Sequence, residues 1–142
     1  MNMRLLYSAI CLVMCVNVLP VFAQPESAGA KGGSDIRIVP LMKTPLAGLA
    51  GKEGALLTVE YAPGASSSTH RHQAHTFVYV LEGSIVMQVE GGQAVTLVAG
   101  QTFYESPSDI HAVSKNASAT ERAKFVVFFV KDEDQPFVIP VP

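Results

Sequence analysis

The sequence predicts a single all-β domain, a sandwich or barrel of short strands. Runs of β-branched and aromatic residues recur along it: IRIVPL, ALLTVEYA, TFVYVLEG, SIVMQVE, AVTLVAG, HAVSKN and KFVVFFVK. Turn signals separate them roughly every eight to twelve residues, the spacing of sandwiches and barrels. After Ile36 no stretch sustains the apolar period of a packed helix.

The first 23 residues stand apart from that pattern. MNMRLLYSAICLVMCVNVLPVFA carries one early charge, Arg4, then an uncharged apolar stretch, and ends in Val21-Phe22-Ala23. This is the order of a secretory signal peptide cleaved before Gln24, with an N-terminal membrane anchor as the alternative. Cleavage predicts an exported chain, periplasmic or secreted. It also removes Cys11 and Cys15, the chain's 2 cysteines, so the remainder has neither a disulfide framework nor a thiolate ligand. Loss of Arg4 takes the net charge from −2 to about −3. Without a basic stripe, nucleic acid and, after cleavage, membrane surfaces are excluded as expected partners.

Residues 24–35, QPESAGAKGGSD, have no apolar period and read as a flexible linker. The β domain occupies residues 36–142. KTPLAGLAGK at 43–52 reads as a loop. In TFVYVLEG, alternation puts Thr76, Val78 and Val80 on the inner face and Phe77, Tyr79 and Leu81 on the outer one. An apolar outer face predicts packing against another sheet or a second copy, hence a homodimer. KFVVFFVK is apolar on both faces and reads as a central strand. Tyr61, Phe103 and Tyr104 either wall the mouth of the domain or belong to its core.

The chain has 4 histidines, and 3 of them fall in STHRHQAHTF: His70, His72 and His75. Two residues apart on a strand, His70 and His72 point the same way. They can share one metal ion if a third ligand comes from elsewhere, and His111, after the Pro107 turn, is the remaining histidine. Zinc, nickel, iron, manganese and copper all accept imidazole nitrogen. The alternative is that these are ordinary hydrogen-bonded polar groups. Left unpaired and buried, each would cost about 1–3 kcal/mol.

Gly64-x5-His70-x-His72 followed by Gly83 resembles the first cupin motif, and Gly100-x6-Pro107-x3-His111 followed by Asn116 resembles the second. TFVYVLEGSIVMQVEGG between them is similar to the cupin strand–turn–strand. The resemblance spans residues 54–131. It implies a cupin-type jelly-roll barrel holding a divalent transition metal (iron, manganese, nickel or zinc). The implied ligands are His70, His72, His111 and a glutamate seven residues before the motif glycine. That position is Thr76, a poor ligand. Glu82 lies about 20 Å further along an extended strand and cannot replace it. His75 is a candidate if a turn between 72 and 76 breaks the alternation; otherwise it is a polar group at the barrel mouth. Glu105 and Asp109 are the carboxylates nearest His111, either substitute ligands or solvated turn residues. Asn116 comes one residue late for the motif and reads as turn chemistry.

Three neutral imidazoles would leave a divalent metal at its full charge, favouring anionic or chelating ligands. The resemblance implies a metal-dependent enzyme acting on a small organic molecule, with dioxygenase- or isomerase-like chemistry. A non-catalytic barrel that binds a small molecule, anion or sugar is the second reading, and a dimeric scaffold the third.

Overall fold

Two five-stranded antiparallel sheets face each other in the computed structural model, which describes residues 35–141. The predicted signal peptide, the linker up to Ser34, and Pro142 lie outside the described residues. All regular elements among the described residues are strands: β1 Ile36–Pro45, β2 Lys52–Tyr61, β3 His70–Arg71, β4 Ala74–Glu82, β5 Ser84–Val89, β6 Val95–Val98, β7 Thr102–Glu105, β8 Ile110–Asn116, β9 Ala123–Asp132 and β10 Ile139–Pro140. One sheet runs β1-β2-β9-β4-β7 and the other β10-β3-β8-β5-β6. This is the all-β fold expected from the strand pattern, in the jelly-roll form that the cupin resemblance implied.

Alternation decides which side chains enter. In β4, Ala74, Thr76, Val78 and Val80 are buried while His75, Phe77, Tyr79 and Leu81 are exposed. KFVVFFVK lies on β9, with β2 on one side and β4 on the other, so it is the central strand its composition predicted. From β9, Phe125, Val127 and Phe129 meet Leu57 and Val59 of β2 and Ile85 and Met87 of β5 in one core. Fully burying a side chain such as Ile85 stabilises the fold by about 1.5–3 kcal/mol.

The stretch 43–52 is not wholly loop. β1 continues to Pro45 and β2 starts at Lys52, with Lys43 opposite Ala55 and Pro45 opposite Glu53. Only 46–51 turn. β1 is an edge strand with Ile38, Leu41 and Met42 exposed. Ladder hydrogen bonds rather than core burial hold it, which is why its hydrophobic pattern understated its length.

Two devices join the sheets at the end away from the histidines. Gly83 passes the chain from β4 to β5 with φ of 69°. A Cβ there would stand 2.3 Å from the carbonyl oxygen of Arg122, so only glycine fits. Asn116, at the end of β8, does more than shape a turn. Its amide donates to the carbonyls of Ala62 (3.0 Å) and Glu121 (2.8 Å) and its oxygen accepts from the Ser118 amide (2.9 Å). The Tyr61 hydroxyl meets that of Ser114 at 2.7 Å, tying β2 to β8.

Candidate metal centre

Strand pairing brings the histidines together. β3 is only two residues long, and its ladder with β8 sets His70 directly opposite His111. His72 follows just past β3, before β4 begins. The three are 9%, 7% and 3% exposed. Their rings lie 4.8 Å (His70–His72), 5.0 Å (His70–His111) and 6.4 Å (His72–His111) apart. One ligand atom from each falls within 4.8 Å of the others, so the three could hold one metal ion.

Two of the rings are oriented by the backbone. His70 donates Nδ1–H to the carbonyl of Ser68 at 2.7 Å, and His72 donates Nδ1–H to the carbonyl of Phe137. Each bond fixes the tautomer and leaves the Nε2 lone pair free, the arrangement of a metal-ligating histidine. Burial pushes both imidazoles below the ordinary histidine range, so they are neutral at pH 7. The surroundings are apolar. His72 packs on Phe129, Phe129 on Phe137, and His111 beside Phe103. Nε2 of His111 lies 3.1 Å from the Met87 sulfur.

Glu105, the last residue of β7, reaches the same place. It is 2% exposed. Its Oε2 is 3.2 Å from Nδ1 of His111 and 3.9 Å from Nε2 of His72. Yet Glu105 Oε2, His111 Nδ1 and the Thr76 hydroxyl are all buried without a hydrogen-bond partner. Orphaned polar atoms cost about 1–3 kcal/mol each. Neutral imidazole nitrogens with free lone pairs in an apolar setting are a donor set that fits a divalent transition metal.

β4 is regular from Ala74, so no turn breaks the alternation and His75 stays on the outer face. There its Nδ1 meets the Tyr104 hydroxyl at 2.7 Å, and the two rings stack. It is apart from the three clustered histidines. Tyr104 is likewise neither core nor mouth but exposed on that outer face, whereas Tyr61 is core. Asp109 accepts from the Ser106 amide at 2.7 Å, the turn role that was its alternative. Sequence reasoning missed the two carbonyl brackets at Ser68 and Phe137, and nothing local to His72 signals a partner 65 residues away.

The chain matches the family model for the cupin domain over residues 57–129. No curated protein matches it. Among solved structures it is similar to an oxalate oxidase in complex with the substrate analogue glycolate, at 25% identity and TM-score 0.54, covering 63% of this chain and 46% of that one. The chain thus spans less than half the length of that oxidase. It is also similar to KdgF from Halomonas sp., at 18% identity and TM-score 0.61 over 77% of this chain and 90% of that one. An RmlC-like cupin from Shewanella frigidimarina matches at 18% and 0.59, over 82% and 95%. The last two likenesses show the fold alone. Because the family model extends across both histidine stretches and the sheets match those of known cupins, this chain belongs to the cupin superfamily.

Proposed function

We propose that the protein is an exported cupin that binds a divalent transition metal (iron, manganese, nickel or zinc) through His70, His72 and His111 and acts on a small organic molecule. The reaction is of oxidase, dioxygenase or isomerase type. The observation that carries this is the pair of backbone carbonyls that free Nε2 of His70 and His72 toward His111. The likeness to an oxalate oxidase holding glycolate supports a small carboxylate as ligand. The bound metal would anchor and polarise such a molecule. The three imidazoles would hold the metal, with Phe103, Phe129 and Met87 packed against them.

Metal analysis of the chain processed at Ala23 and purified without a metal-binding tag tests this. About one metal per chain is expected. His70→Ala, His72→Ala and His111→Ala each lose it, and His75→Ala keeps it. A wild-type chain that stays metal-free after reloading overturns the reading. Tight ligand binding by the loaded protein without turnover would favour the non-catalytic barrel.

The outer face of β4 and β7 supports a homodimer. Phe77, Tyr79, Leu81 and Tyr104 are all exposed there, a contiguous apolar surface of the kind that marks an interface. Sedimentation at a mass twice that of the chain is the expected result, and a monomer overturns it.

A further inference from the structure

The missing glutamate and the orphaned one lie opposite each other. In the β4–β7 ladder Thr76 pairs directly with Glu105. Directly opposite residues share a face of the sheet and hold their Cβ atoms about 4.5–5.5 Å apart. Thr76 is 0% exposed, and its hydroxyl has no hydrogen-bond partner. The longer side chain of Glu105, on the neighbouring strand, brings its carboxylate to 3.2 Å from His111 and 3.9 Å from His72.

Glu105 also lacks a cation. Among the described residues the only basic groups within 4 Å of its carboxylate are the imidazoles of His72 and His111. The buried ammonium of Lys131 is committed to Glu53, at 2.5 Å. A carboxylate removed from water is costly unless a positive charge and good hydrogen bonds compensate it. Here Oε2 makes no hydrogen bond at all, although it stands against two metal-ligand candidates.

We propose that Glu105 is the fourth protein ligand of the metal, a carboxylate supplied by β7 in place of the one absent at Thr76 of β4. The inference rests on the metal-binding reading above. It makes the donor set three imidazoles and one carboxylate, and it lowers the charge of a bound divalent metal from +2 to about +1. An anionic substrate is then held less tightly than at a site of imidazoles alone. The competing account is an ion pair between Glu105 and a protonated His111 that needs no metal.

The test titrates Zn²⁺ and Co²⁺ into the metal-free processed chain and into Glu105→Gln, and records the infrared difference spectrum with and without metal. Affinity is expected to fall in the variant by more than the roughly ten- to hundredfold that losing an outer hydrogen-bond partner costs. The wild-type difference spectrum is expected to show a shifted carboxylate band that Glu105→Gln lacks. Wild-type binding with unchanged affinity in the variant, or with no carboxylate band, overturns the proposal and leaves the three-histidine site standing. Absence of metal from the wild type overturns both. If Glu105→Gln fails to fold, the wild-type spectrum decides alone, because Glu105 is the only carboxylate within 4 Å of any of the three histidines among the described residues.

Discussion

The Nδ1–H of His72 is held by the backbone carbonyl of Phe137, 65 positions further along the chain. That carbonyl is itself kept in place. Lys131 donates to the carbonyls of Asp132 (2.9 Å) and Gln135 (2.6 Å) and pairs with Glu53, fixing the turn that leads to Phe137.

Lys131→Met therefore loosens a metal site that Lys131 does not touch. The ammonium of Lys131 holds the Glu53 carboxyl below the usual carboxylate range, so its removal leaves a buried acid short of a partner. The expected outcome is a lower melting temperature and metal affinity reduced about tenfold, the scale of losing an outer hydrogen-bond partner. Calorimetric titration checks the affinity. Lys43→Ala, which removes the exposed lysine from the same glutamate, leaves affinity unchanged.

Acid destabilises the metal-free protein through His70 and His72. Burial keeps both folded imidazoles below their ordinary value of 6.5. As pH falls through about 6.5 the unfolded chain takes up protons that the folded chain refuses. Stability from these groups is complete above 6.5 and declines below it until the folded imidazoles also protonate. Urea midpoints measured from about pH 7.5 to about pH 5.5, roughly one unit either side of 6.5, should fall toward acid. The slope should shrink in His70→Gln/His72→Gln.

Gly83→Ala tests the passage between sheets. At φ of 69°, with a backbone oxygen 2.3 Å from the new Cβ, alanine forces a shift of backbone rather than of a flexible side chain. The expected loss is about 1–3 kcal/mol in urea unfolding.

Asn116→Ala removes the amide that satisfies the carbonyls of Ala62 and Glu121. A loss of about 2 kcal/mol is expected, since buried acceptors are left unpaired. Metal content should hold, because Asn116 lies at the far end of β8 from His111.

Period-two alternation made β4 legible. It placed Val78 and Val80 inside and Phe77 and Tyr79 outside, and the same rule already argued against His75. β9 was legible because both of its faces are apolar. β3 and β10 were not, since two-residue strands carry no period and exist only through partners remote in sequence: His70 opposite both His111 and Pro140. Glu105 stood in the sequence as a minor alternative for a related reason. Its place beside Thr76 is a fact of register between β4 and β7, and no spacing within either strand encodes it.

The Phe137 bracket orders events in time. Synthesis runs from the N-terminus, so all three histidines exist before the residue that locks one of them has been made. Until Phe137 docks, His72 lacks its fixed tautomer. Completion of the three-histidine cluster is therefore a late event in the life of the chain, set by the docking of its last strand region rather than by the making of the histidines.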